Sequence, residues 1–345
     1  MTNWLRKHLH FSAIWLVVGL LLLVLPLGAQ EDISALRKRL EAKASVTILV
    51  TDSGLGGLSV VAGIEERARA SRTFRKVRLV FVNAMPTAKK GYNKMSPEEK
   101  VSVFNDALKA MATRFKPDAI LIACNTLSVV YPDTPFARTT KVPIVGIVGL
   151  GIDMIAESLV RTPKSVAMIY GTETTIESNA YRDGLVKKGI PLERIVSVPC
   201  SGLAIKIQND AASEAVKVAI NGFVRAGMTT RPTPDAKVVV GLCCTHYGYS
   251  STLFSTSTLE AGAVAVELVD PNIRMSALLF RPKPTRRYPR VNTAVEVFSR
   301  GELLPEARKN IGDLVRPASP KTAEALLGYT HDPELWAYPS PTVPK

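Results

Sequence analysis

Two cysteines in this chain follow β-branched apolar runs: Ala119 to Val130 reads AILIACNTLSVV, and Val238 to Tyr249 reads VVVGLCCTHYGY. Such runs suit strands buried on both faces, and the small polar residues after each cysteine suit the start of a helix. Thiols therefore stand at two strand ends, where open α/β sheets bind ligands and where helix N-termini favour anions. An unperturbed thiol has a pKa of about 8.5, so thiol and thiolate are both accessible near neutral pH. Two of them flanking one carbon form an acid/base pair that can remove a proton from one face and return one to the other. The substrate expected from this placement is small and acidic.

Length, charge and cysteine count narrow the alternatives. A chain of 345 residues is long enough for two domains, each burying its own core. Cys124, Cys200, Cys243 and Cys244 are too few and too adjacent for a disulfide framework, and only His246 lies near any of them, so no metal site is expected. The net charge of +14 is spread over distant pairs such as Lys187-Lys188 and Arg286-Arg287, with no aromatic-interleaved basic stripe. It reads as a solvated surface that also draws in acidic substrates, and nucleic acid is not an expected partner.

The elements that must position the thiols follow in order. Arg6 and Lys7 precede an apolar run from Phe11 to Leu27, and Leu27-Gly28-Ala29 leads into charged residues, so residues 1–29 are expected to be a signal peptide or an N-terminal membrane anchor. The body is then periplasmic or otherwise exported, or held to a membrane by residues 11–27. Residues 30–45 read as a surface helix or linker. Val46 to Val50 is a strand, and Thr51-Asp52-Ser53-Gly54-Leu55-Gly56-Gly57 a glycine-rich turn opening a helix. That turn lacks a phosphate-loop lysine and an acidic residue about twenty positions on, which argues against a nucleotide site. Strands at 77–82, 119–122 and 141–148 alternate with helices, as do strands at 165–169, 195–198, 237–242 and 266–270, the rhythm of parallel doubly wound sheets. Proline and polar residues after 316 read as a weakly ordered tail.

TDSGLGGLSV, ACNTLSVVY, GTETTIESNAY and CCTHYGY, in that order, resemble the signature segments of the cofactor-independent glutamate racemases, in the aspartate/glutamate racemase superfamily. The resemblance spans residues 46–315. It implies two similar doubly wound α/β domains facing each other across a cleft, residues 46–148 with about 266–315 forming one and 149–265 the other, and it leaves a homodimer open. It implies no cofactor. Carried over by motif, the catalytic residues are Cys124 and Cys244, with Asp52 and His246 as outer partners that set each thiol's protonation. Ser53, Tyr92, Asn93, Asn125, Thr126, Thr172, Thr175 and Thr245 are then the substrate-binding residues. The duller alternatives are that Asp52 is only a helix cap and His246 a satisfied core histidine. Successive strand residues face opposite ways, so Cys243 and Cys244 cannot both face the cleft. The chain also departs from the family pattern: Gly91-Tyr92-Asn93 stands for Pro-Tyr-Gly, Asn83 for an acidic residue, and Gln208 for a frequent glutamate. The resemblance favours glutamate as substrate, then aspartate. Another superfamily isomerase or decarboxylase, or an exported solute-binding protein, are the competing readings.

Overall fold

Short runs of Val, Ile and Leu punctuated by glycine turns give this chain ten strands among the described residues, all paired in parallel. The computed structural model describes residues 32–87, 90–231, 236–284 and 286–339. Residues 1–29, expected to be a signal peptide or anchor, lie outside them. A first sheet holds β1 (Ser45–Asp52), β2 (Lys76–Asn83), β3 (Ala119–Ile122) and β4 (Ile144–Gly146), and a second holds β5 (Val166–Gly171), β6 (Ile195–Pro199), β7 (Val238–Cys243) and β8 (Val266–Val269). The chain then returns to the first sheet with β9 (Asn292–Ser299) and β10 (Thr330–His331). The orders are β10-β9-β2-β1-β3-β4 and β6-β5-β7-β8.

Both sheets thus repeat one arrangement, with the first strand of each half central and the third beside it. In such a sheet the chain leaves the first strand toward one side and reaches the third on the other, opening a crevice between their carboxyl ends. Asp52 ends β1 and Cys124 follows β3; Thr172 follows β5 and Cys244 follows β7. Helices cover both faces, which is why Ile48, Leu49 and Val50 are all fully buried rather than alternating. Each contributes roughly 2 kcal/mol of apolar burial. The helix Pro97–Phe115 starts as its residues dictate: Ser96 accepts the Glu99 N–H at 3.2 Å, proline occupies the first turn, and Glu98 and Glu99 face the helix N-terminus.

Three segments differ from expectation. The helix Ile33–Glu41 is no linker, because Leu36 and Leu40 are fully buried in the first core and Arg37 donates to the Leu278 carbonyl. The strand at 266–269 pairs with β7, so the crossing back to the first sheet comes with β9. Residues 317–339 are a packed layer rather than a weakly ordered tail. The helix Pro320–Leu327 lies on the first core, β10 shields β9, and Leu335 and Trp336 sink into the core beneath β2 and β3. Arg300 donates to the Trp336 carbonyl at 2.8 Å and Arg114 pairs with Asp332. Apolar anchors outweigh the proline content because each fixes several neighbouring residues.

Trp336→Ala should therefore cost about 3 to 5 kcal/mol, read as a lower urea midpoint with an unchanged slope. An unchanged midpoint would show that the C-terminal layer does not hold the core.

Candidate active site

The turn after β1 brings the domains together. Asp52, 1% exposed, accepts hydrogen bonds at Oδ2 from the Gly57 N–H at 2.6 Å and from the Thr245 hydroxyl at 2.7 Å. The first bond closes the glycine turn; the second reaches the segment following β7. A Cβ on Gly56 would fall 2.3 Å from Thr245 Oγ1 and 2.8 Å from the His246 backbone nitrogen, so only glycine fits between the two segments.

A cavity of about 430 Å³ opens between the halves. Cys124 and Cys244 both line it, as do Asp52, His246, Ser53, Tyr92, Asn93, Asn125, Thr126, Thr172 and Thr245. Thr175 stands behind the wall, bonded to Thr172 at 3.0 Å, and Thr172 in turn meets Thr126 at 2.8 Å across the cleft. The Tyr92 hydroxyl is taken up by the Ala84 carbonyl, to which it donates, although the residue lines the cavity. Asn83 shapes the same loop from outside the cavity by bonding Ser299 and the Met85 N–H. Cys243 faces the core on the other side of its strand, and Cys200, whose thiol donates to the Val198 carbonyl, forms part of the cavity edge. Among the described residues no group of three His, Cys, Asp or Glu side chains is placed to hold a metal ion.

The sequence profile of the Asp/Glu/Hydantoin racemase family matches residues 48–271. This chain belongs to that family. A glutamate racemase from a Sulfurihydrogenibium species is 29% identical over 204 residues, 57% of this chain and 70% of the relative. One from Sphingopyxis alaskensis is 30% identical over 200 residues, 58% and 69% respectively. The crystal structure of glutamate racemase from Francisella tularensis in complex with D-glutamate shares the fold, with a TM-score of 0.60 at 20% identity over 80% of this chain and 95% of that one. The protein is thus an amino-acid racemase, an isomerase.

The racemase surrounds its two thiols differently. Cys124 caps the helix Asn125–Val130, accepts the Leu127 N–H at 3.5 Å and shares a 3.1 Å hydrogen bond with Ser53. Its hydrogen-bond partner is therefore Ser53, while Asp52, expected in that place, acts on it through charge. Burial pushes the Cys124 thiol up to about 12, the Asp52 charge adds to the rise, and the Ser53 hydrogen bond opposes it. Cys244 lies 3.8 Å from His246 Nδ1. Burial holds it well above the ordinary thiol range, the His246 backbone N–H works against that, and Asp52 again adds to it.

The imidazole tautomer follows from the network around Gln208. The Leu55 N–H, which can only donate, meets Gln208 Oε1 at 2.9 Å, and the same oxygen is 3.0 Å from His246 Nε2. Nε2 therefore carries the hydrogen and Nδ1 turns a lone pair to the thiol. Burial lowers the His246 pKa, against the Asp52 charge, and the neutral Gln208 supplies no counter-charge for an imidazolium.

Sequence reasoning missed Tyr181, Lys94 and Glu173. The Tyr181 hydroxyl donates to Asn125 Oδ1 at 2.6 Å, which turns Asn125 Nδ2 into the site as a buried donor without a partner. Its signal was present, since Tyr181 ends the GTETTIESNAY segment. Lys94 and Glu173 line the cavity from opposite domains; only the fold shows that they face one space.

With Cys124 at about 12, roughly one such thiol in three thousand is ionised at pH 8.5. Iodoacetamide alkylation of Cys124 in the ligand-free protein, followed by peptide mass spectrometry, should accelerate about tenfold per pH unit through pH 10. A plateau near pH 8.5 would mean that the thiol titrates as if exposed.

Proposed function

We propose that this racemase interconverts L- and D-glutamate, with aspartate as a poorer substrate, using Cys124 and Cys244 as base and acid on opposite faces of the α-carbon. The observation that carries the reading is the placement of the two thiols, which line one cavity from matching strand ends of two similar sheets. A cavity that presents one thiol to each face needs no further group to invert the carbon.

The remaining residues supply the setting. The unpartnered Asn125 amide, with one of the two hydroxyls of Thr126 and Thr172, which share a hydrogen bond, supplies donors for an α-carboxylate. As the α-proton leaves, those donors stabilise the charge that develops on the carboxylate. The substrate ammonium finds its counter-charge in Asp52 and lowers both thiol pKa values, so the base forms when substrate is present. On the Cys244 side, the Nδ1 lone pair of the neutral His246 holds the thiol by its hydrogen and so orients Cys244. Lys94 has no carboxylate partner among the described residues and answers the side-chain carboxylate. The reading also places the enzyme outside the cytoplasm, cleaved or membrane-anchored, on the strength of Arg6, Lys7 and the apolar run 11–27.

Wild type in deuterated buffer should racemise glutamate and incorporate deuterium at the α-carbon. Cys124→Ser and Cys244→Ser should each slow racemisation by about three orders of magnitude. Wild type that binds glutamate without exchange or inversion would overturn the assignment. Lys94→Met should raise KM for glutamate by about tenfold with kcat little changed, as expected when one exposed counter-charge is lost; an unchanged KM would remove Lys94 from substrate binding.

A further inference from the structure

A second cavity, of about 740 Å³, lies away from the thiols and is lined by five arginines, Arg37, Arg67, Arg274, Arg281 and Arg286, together with Ile33 and small or apolar residues. It sits at the far ends of two helices that begin at the active site. Leu58–Ser71 starts at the glycine turn, and Pro271–Ala277 carries Asn272, whose amide donates to the Thr245 carbonyl. No Asp or Glu lines this cavity.

The charges there are only partly answered. Arg274 forms a two-pronged pair with Glu157 at 2.8 and 2.6 Å, and Arg281 pairs with Glu41 at 2.7 Å. Arg37 and Arg67 form no ion pair among the described residues, although the charge of Glu41, already paired with Arg281, also reaches Arg37. Each is instead held by backbone: Arg37 donates through Nε and Nη2 to the Leu278 carbonyl at 3.2 and 2.9 Å, and Arg67 through Nη1 to the Gly63 carbonyl at 3.2 Å. Both are half-buried, and both keep further N–H groups free. Arg286, exposed at the rim, also lacks a carboxylate partner. Like charges brought together this way repel unless an anion joins them. Guanidinium groups fixed by carbonyls lose little freedom on binding, and their paired donors match the oxygens of a phosphate.

We propose that this arginine cavity binds a phosphate group. Its place in the chain favours an anionic phospholipid headgroup as the source. Ile33, at the cavity wall, follows Leu27, the end of the apolar run, by six residues, a reach of at most about 20 Å. If that run enters a bilayer, the cavity stands at its surface, where cations are drawn to anionic headgroups. A soluble phosphate compound is the other source of the same chemistry.

The full-length chain in non-ionic detergent tests this, with inorganic phosphate, dihexanoyl phosphatidylglycerol and zwitterionic dihexanoyl phosphatidylcholine as probes and the thermal unfolding midpoint as readout. Partition of the lipid chains is common to both lipids, so their difference reports the headgroup. Phosphatidylglycerol should raise the midpoint of wild type, and of the remote control Arg225→Gln, well above the value in phosphatidylcholine. In Arg37→Gln/Arg67→Gln the apparent Kd should rise at least tenfold, with far-UV spectrum and racemase turnover retained. Arg286→Gln, exposed and free of internal bonds, gives the same direction with less effect and serves if the double variant does not fold. A response to phosphate alone assigns a soluble source, and a response to phosphatidylglycerol alone assigns the lipid. No anion-specific shift in wild type, or an equal shift in the arginine variants, overturns the proposal.

Discussion

One buried carboxylate organises the active site. Asp52 is fixed by the register of β1 against β2 and β3, and its Oδ2 gathers the Gly57 N–H and the Thr245 hydroxyl. The first contact folds the glycine turn so that Ser53 meets Cys124; the second holds the segment carrying Cys244 and His246 against that turn. Its field reaches both thiols and the imidazole, adding to the rise at the thiols and opposing the drop that burial imposes on His246. Geometry and acidity at the site are therefore coupled through one side chain, and neither domain could supply that coupling alone.

Burial does the rest. Removing two thiols from water costs the charged form more than the charge of Asp52 does, and burial leads at both cysteines. The empty site consequently holds two thiols that are neutral near neutral pH. The two surroundings remain unequal. Cys124 relies on a hydroxyl and a short helix N-terminus, Cys244 on a neutral imidazole oriented by Gln208.

Legibility in the sequence followed the range of the interactions involved. The buried strands and the thiols at their ends could be read because β-branched runs and the residues that stop them are local features. Which sheet β8 joins is decided by pairing with β7, far away in the chain, and periodicity carries no trace of it. The C-terminal layer was misread because its prolines are visible locally, whereas the pocket that receives Trp336 is not. Asp52 lay in a recognisable turn, yet its partner Thr245 is 193 positions away. The same holds for charge: arginines at 37, 67, 274, 281 and 286 look scattered along the chain and converge on one cavity.

The repeated strand order has a further consequence. Two enantiomers of a free amino acid have equal free energy in water, so thermodynamics requires kcat/KM to be the same in both directions whatever surrounds each thiol. The unequal settings of Cys124 and Cys244 can therefore appear only in how kcat and KM divide for each enantiomer. Under the proposed two-thiol chemistry each enantiomer meets a thiol on its own face, so a difference between the two surroundings tunes saturation by one enantiomer without shifting the mixture that the enzyme finally produces.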